Sequence, residues 1–282
     1  MYLRRMSDGR VVLERDDALF RLPVSSLAEL LHGHVDEIRA LLESDLEPAE
    51  DGLSHPPVDG RTEVWASGVT YQRSRVARMS ESADPDIYER VYVAERPELF
   101  FKSAAWRVVT DDEPIGIRAD SPWNVPEPEL AILANRHGEI VGYGVSNDVS
   151  SRSLEGENPL YLPQAKVYAG ACALGARIRP AWEIDPRGLE IRLTVERSGA
   201  VVVDATTTTA HLVRDVEYLT SYLFRAENFP DGVWLSTGTG IVPDDEFTLA
   251  DGDRVTITVD GVGELTNPVR RGSGHWGFLE ER

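Results

Sequence analysis

A single cysteine, Cys172, stands in 282 residues. That excludes an internal disulfide, and with it a structural zinc site built on several thiolates, so any metal has to sit on oxygen or imidazole ligands. Lysine is almost as scarce: Lys102 and Lys166 are the only two, and arginine supplies every other cation among the 29 basic residues. A lysine in such a chain is less readily explained as surface filler. Long apolar runs are missing as well. Met1-Tyr2-Leu3-Arg4-Arg5 leads into polar sequence without the apolar stretch of a secretory leader, and nothing later approaches the ~20 apolar residues of a membrane span. The expected compartment is the cytoplasm. Basic excess is also absent: 48 acidic against 29 basic residues leave a net charge of −19, with no basic patch for nucleic acid or for an anionic membrane. The same balance suits either an ordinary acidic enzyme or a salt-loving host.

What is present is a globular composition, 41% hydrophobic, long enough for a substantial core. Residues 1–60 read as a small N-terminal α/β domain. Short strands are expected around Val11–Leu13 and Leu19–Leu22, then a helix from Ser26 to Leu42, where Ser26 and Glu29 form a capping-box pattern and Leu27, Leu30, Leu31, Val35, Ile38, Leu41 and Leu42 recur at helical spacing. A Pro-, Asp- and Gly-rich stretch from Glu47 to Gly60 reads as a linker, leaving 61–282 as the larger domain. That larger part is mainly β. Leu189, Ile191, Leu193 and Val195 alternate with polar residues, as do Val255, Ile257 and Val259, which predicts half-buried antiparallel strands. Helices are expected over Asp215–Ala226, Ser74–Glu81 and Asp86–Ala94. His32 and His34 flank Gly33 within the N-terminal helix; at that spacing they do not share a helical face and are read as structural.

The chemistry concentrates in one predicted hairpin. The runs Leu130–Asn135 and Ile140–Asp148 are joined at His137-Gly138, and pairing Arg136 with Glu139 sets Glu127 opposite Asp148, with Glu129 on the same face by the two-residue alternation of strands. Leu130, Ile132, Val141, Tyr143 and Val145 fall on the other, core-facing side, while Ala131, Gly142 and Gly144 leave a hollow beside the acids, a floor for a ligand. Pairs such as Glu127-Pro128-Glu129 arise by chance in so acidic a chain, so the weight rests on the register. Three opposed carboxylates repel unless a proton or cation intervenes, and a hard divalent ion fits: Mg²⁺, with Mn²⁺ or Ca²⁺ as substitutes.

These residues resemble the fumarylacetoacetate hydrolase superfamily, which carries an E-x-E pair, a later Asp with Arg four residues on, and a late T-G-T segment. They stand here as Pro126-Glu127-Pro128-Glu129-Leu130-Ala131, Asp148-Val149-Ser150-Ser151-Arg152, Gln164-Ala165-Lys166, Thr237-Gly238-Thr239-Gly240 and Gly261-Val262-Gly263-Glu264-Leu265-Thr266-Asn267, in order over Trp65 to Val269. The resemblance implies an α+β, β-rich fold with a mixed β-roll catalytic domain. It also implies a divalent ion on Glu127, Glu129 and Asp148, a 2-keto acid substrate and a homodimer or homotetramer. One departure bears on the reaction. Hydrolase and decarboxylase members carry a His shortly after a Gly-x-Asn-Tyr-like strand end, whereas Gly68-Val69-Thr70-Tyr71-Gln72-Arg73-Ser74 places Ser74 there, and no histidine lies between His55 and His137. The segments Arg96–Lys102 and Gly156–Lys166 resemble instead 2-keto-3-deoxy-pentonate dehydratases of the D-arabinonate type.

The reaction so implied is dehydration of a 2-keto-3-deoxy sugar acid to 2,5-dioxopentanoate, the ion polarising the keto acid so that a C3 proton can leave. Lys166 and Glu98 are the catalytic pair, base and acid in an order the residues leave open. A cation beside Lys166 would lower its pKa; an ion pair with a carboxylate is the alternative. Arg152, Gln164 and Thr239 are the substrate-binding candidates, while Lys102 and Tyr161 line the pocket without an assigned role. Two rivals stand beside this reading: a C–C hydrolase or decarboxylase acting on an acylpyruvate or oxaloacetate, and a non-catalytic acidic β-module that binds a cation or sugar.

Overall fold

The computed structural model describes residues 1–81 and 85–281. Two sheets form its frame. The larger runs from Glu47–Pro48 through Ala18–Arg21, Val11–Arg15, Tyr2–Met6, Arg177–Pro180, Ile140–Asp148, Pro128–Ala134, Val233–Ser236 and Glu63–Gly68 to Glu98–Ala104. The smaller runs Ala200–Thr208, Glu190–Arg197, Arg254–Val259, Gly263–Arg271, Ile115–Ile117. Most neighbours are antiparallel, but Val233–Ser236 pairs parallel with Glu63–Gly68, and Gly263–Arg271 with Ile115–Ile117, so both sheets are mixed.

The hairpin expected to carry the acids is central to the large sheet and covered on both faces, which explains its near-continuous apolar sequence. Leu130, Ile132, Tyr143 and Val145 pack against Ile191, Leu193, Val255 and Ile257 of the small sheet. Ala131, Leu133 and Val141 pack the other way, with Leu27, Leu30, Leu31, Ile38 and Leu42 from the N-terminal helices and with Trp234. The strand Tyr2–Met6 joins the sheet through Arg177–Pro180, with Leu3 opposite Ile178.

Two local expectations change. The helix read over 26–42 is two helices, Leu27–Leu30 and Val35–Leu42. The chain restarts at His34, whose backbone N–H donates to Glu37 Oε2 at 2.8 Å, and the free carbonyls of the break are taken up by the hairpin turn: Arg136 N–H donates to Leu31, and Asn135 Nδ2 to Gly33. The histidines at the break are held by partners, His32 by Asp231 at 3.0 Å and His34 stacked on His137 at 3.9 Å.

The turn itself is not the two-residue one. Asn135 pairs with Glu139, its Oδ1 accepting from the N–H groups of His137 and Glu139, and a bulge follows between Leu133 and Ala134. The longer turn and the bulge offset each other. Leu133 still faces Gly142, and Pro128 still faces Asn147, so the expected register survives from Leu133 outward while Val141 is turned to the opposite core.

Candidate metal and acid–base site

The register places the acids together. Asp148 N–H donates to Glu127 O at 3.0 Å, Glu129 is paired with Ser146, and ligand atoms of Glu127, Glu129 and Asp148 lie within 4.8 Å of one another. All three side chains are buried. The hollow expected beside them is filled: a Cβ on Gly144 would come 2.9 Å from the Trp234 indole, and one on Gly142 2.6 Å from Ile178. Small residues there admit protein rather than ligand. The open space lies at the strand ends, in a cavity of about 20 Å³ whose walls include Gly68, Val69, Ser74, Arg78, Glu98, Glu155, Lys166 and Thr239 as well as Glu127 and Asp148. That is room for about one water-sized guest.

Both lysines of the chain converge on Asp148. Lys166 Nζ donates to Asp148 Oδ2 at 2.9 Å, Glu127 Oε2 at 3.0 Å and Ser150 Oγ at 2.6 Å. Lys102 reaches from the strand Glu98–Ala104 to pair with Asp148 Oδ1 and donates to the carbonyl of Val149 at 3.0 Å. On the other side, Arg78 Nη2 lies 2.9 Å and Arg152 Nη1 2.8 Å from Glu127 Oε1, and both guanidiniums also pair with Glu155 and Glu81. Arg152, a substrate-binding candidate in the sequence, is thus engaged by carboxylates of the protein itself. Lys102, Arg78, Glu155, Glu81 and Ser150 were not assigned roles by the sequence reading. The rarity of lysine was a usable signal for Lys102; Arg78 and Glu81 have none in their spacing, because their helix Gln72–Glu81 lacks an apolar stripe to orient it, and Glu155 and Ser150 reach the site only through the docking of Arg152–Glu157 and Ser150–Ser151.

The remaining candidates divide. Thr239 lines the cavity, its hydroxyl donating to Ile241 O at 3.1 Å, and the neighbouring Gly238 N–H donates to Glu129 Oε2 at 2.6 Å. Gly238 stands at φ +94°, where a Cβ would collide with Thr70, so the T-G-T turn needs its glycine. Ser74 occupies the cavity wall where the base of a hydrolase was looked for, and its hydroxyl is bound to Tyr71 O. Gln164 is exposed and does not reach the cavity; its backbone carbonyl accepts from Arg118. Glu98 turns inward, its carboxylate lying directly over Gly68, where any Cβ would strike it.

Electrostatics follow from burial. Burial drives Glu127 and Glu129 upward, Glu129 strongly, because Asp148 and Glu127 add to the effect. Asp148 goes down, since Lys102 and Lys166 outweigh its burial. Burial works to lower Lys166, but Asp148 and Glu127 override it and hold the ammonium well above the ordinary lysine range. The lowering expected for Lys166 presupposed a neighbouring cation; between the carboxylates themselves the direction reverses. Burial, then Glu155, raises Glu98 to about 7.

The residues fit a divalent ion. Six carboxylates (Glu81, Glu98, Glu127, Glu129, Asp148, Glu155) share this buried site with four side-chain cations (Arg78, Lys102, Arg152, Lys166), and with every group ionised the carboxylates exceed the cations by two charges, an excess that protons or a divalent ion can neutralise. Asp148 Oδ1 is buried and has no aligned hydrogen bond, although it is in ion-pair contact with Lys102. An all-oxygen donor set of this kind suits a hard cation.

Known proteins resemble this chain in sequence and in fold. Residues 63–270 match the profile described as fumarylacetoacetate hydrolase, C-terminal. Over 251 residues the chain is 47% identical to a probable 2-keto-3-deoxyxylonate dehydratase of Haloferax volcanii, covering 87% of this chain and 86% of the relative. A 2-dehydro-3-deoxy-D-arabinonate dehydratase of Saccharolobus solfataricus is 44% identical over 220 residues, 76% of this chain and 74% of the relative. A solved structure described as 2-keto-3-deoxy-D-arabinonate dehydratase complexed with magnesium and 2,5-dioxopentanoate superposes with a TM-score of 0.84 at 35% identity, over 96% of this chain and 98% of that one.

Proposed function

Because the chain belongs to the fumarylacetoacetate hydrolase family, we propose that it is a Mg²⁺-dependent hydro-lyase converting a 2-keto-3-deoxy-pentonate into 2,5-dioxopentanoate and water. The carrying observation is the buried carboxylate trio, two of whose members, Glu127 and Asp148, line a cavity shared with Lys166 and Glu98. Relatives named as sugar-acid dehydratases favour dehydration over C–C cleavage, and so does Ser74 in place of a water-activating histidine.

Glu127, Glu129 and Asp148 would hold the ion. Once bound, it supplies Lewis-acid polarisation of the 2-keto carboxylate, worth several kcal/mol in reactions of this type. The protein's own groups divide the proton traffic. Glu98, pushed up to about 7 by burial, is poised near neutrality to take the C3 proton, and Lys166, whose Nζ is bonded to Asp148, Glu127 and Ser150, is the proposed donor to the departing C4 hydroxyl. The C3–H and C4–O bonds break, C3=C4 forms, water leaves, and the unsaturated acid tautomerises with transfer of hydrogen from C5 to give the aldehyde. Arg152 keeps Glu127 in place, and Thr239 with Gly238 borders the substrate's side of the site. Gln164 would enter only if helix Leu162–Lys166 turned its exposed side inward. A five-carbon acid exceeds the present cavity, so admission requires the covering helix Gln72–Glu81 to give way.

Residues 61–282 carry every group named above, and residues 1–60 are proposed as a small N-terminal domain whose helices cover one face of the sheet that its strands extend. No helix among the described residues is long and apolar enough to cross a membrane, and we place the enzyme in the cytoplasm as a homodimer or homotetramer. The deciding experiment is a coupled assay of 2-keto-3-deoxy-D-arabinonate, its C4 epimer and six-carbon analogues, with and without EDTA. Mg²⁺-dependent release of 2,5-dioxopentanoate is expected; turnover of acylpyruvates or oxaloacetate alone would replace the dehydratase by a hydrolase or decarboxylase.

A further inference from the structure

Glu155 has no part in the reaction as derived so far, yet the fold takes trouble to hold it. Helix Arg152–Glu157, capped by Ser151, turns it onto the same cavity wall as Glu98. Its Oε2 accepts from Arg152 Nη1 at 2.8 Å and its Oε1 lies 3.3 Å from Arg78 Nε, so the carboxylate is fixed from two sides while only 6% of the residue is exposed. Glu98, on the strand Glu98–Ala104, is seated against Gly68 and, among the described residues, makes no ion pair of its own.

We propose that Glu155 is a positioning residue for the dehydration, whose fixed negative charge makes Glu98 a stronger base toward the C3 proton of the substrate. The proposal rests on the reaction assigned above. Four charged groups from the surrounding elements bear on Glu98: Glu155 from helix Arg152–Glu157, Lys166 from helix Leu162–Lys166, Arg78 from helix Gln72–Glu81, and Glu127 at the entry to the strand Pro128–Ala134. The two carboxylates and the two cations pull in opposite directions. Burial is the largest influence on Glu98, and Glu155 is the largest of the electrostatic ones, ahead of Lys166 and Arg78. Such a like-charged neighbour raises the basicity of a buried carboxylate, and a base works best when its pKa lies near the operating pH. In the step itself Glu98 accepts the C3 proton, the C3–H electron pair becomes the second C3–C4 bond, and the C4 oxygen leaves as water with the proton from Lys166. Glu98 then returns its proton to solvent, and Lys166 takes one up from it, which restores both groups.

The test compares wild type, Glu155→Gln and Glu155→Asp. It follows kcat/KM against pH with a 2-keto-3-deoxy-pentonate at saturating Mg²⁺, and ¹³C NMR titration of the Glu98 carboxyl in the metal-free proteins, assigned by its loss in Glu98→Gln. In Glu155→Gln the acidic limb should move down by about one pH unit, while the plateau kcat falls several-fold because the base is weaker. The Glu98 carbon should titrate lower in the same sense, and Glu155→Asp should restore the limb. A limb that stays in place while kcat falls would reduce Glu155 to a structural ion pair and overturn the proposal. So would a wild-type Glu98 titrating in the ordinary glutamate range, a result that needs no Glu155 variant to fold. No turnover of any 2-keto-3-deoxy acid would sink the reaction instead, and the NMR titration alone would then decide the coupling.

Discussion

Lys102 shows how much a single buried charge governs here. Its side chain is 1% exposed and is matched by Asp148 at 2%, so neither ion has water to fall back on. Removing one partner of such a pair costs about 3–5 kcal/mol when the other is left with no counter-ion, and Asp148 keeps Lys166 at 2.9 Å, so the lower end applies. Lys102→Met should therefore destabilise metal-free protein by about 3 kcal/mol in urea unfolding, and by less with saturating Mg²⁺, because the ion compensates Asp148. An equal loss with and without Mg²⁺ would separate Lys102 from the metal site. Gly68 makes the complementary case by having no side chain. Gly68→Ala puts a methyl where the Glu98 carboxylate rests, so kcat should drop by at least tenfold with little change in Mg²⁺ affinity by calorimetry. Unchanged kcat would mean that the seat of Glu98 does not matter.

Between elements, polar ties fix what apolar packing leaves loose. Asp231, just ahead of the strand Val233–Ser236, accepts from Arg61 N–H at 2.9 Å and Nε at 3.0 Å and from His32 Nε2 at 3.0 Å, tying the end of an N-terminal helix to the central sheet. The Arg61 side-chain bond, followed by His32, holds the Asp231 carboxyl far below the usual range. A depressed carboxylate contributes stability above its unfolded value of about 4 and loses it as pH falls through the folded value. Wild type should accordingly exceed Asp231→Asn in stability by a constant margin at pH 6 to 8, and the margin should shrink below about pH 4 in a series of urea midpoints. Arg61 is largely exposed, so solvent screening keeps that margin small.

For the molecule as a whole, a metal that binds only the folded chain shifts unfolding by mass action. Mg²⁺ at a hundredfold excess over its dissociation constant should add about 2.7 kcal/mol, reversed by EDTA. Glu129→Gln should abolish both that gain and turnover. A Mg²⁺ response surviving in Glu129→Gln would place the ion elsewhere.

The trio of acids was legible from sequence because strand alternation and hairpin pairing are local rules. Glu127 meets Asp148 even though the turn was misread, since the longer turn and the bulge cancel. The same cancellation sent Val141 to the other face, which no local rule foretold. Motif order identified the family, and the two lysines were conspicuous by scarcity. Hidden from the sequence were the partners made across the fold: Arg78 reaches the site from 49 positions before Glu127, and Lys102, though conspicuous, lies 47 positions before the Val149 carbonyl it binds. Their side chains are placed by how helices and strands dock, and so is the indole of Trp234 that fills the expected hollow. Periodicity along the chain determines which faces exist. Which charge ends up opposite which, and hence which proton each group holds, is set by long-range packing and the loss of water that comes with it.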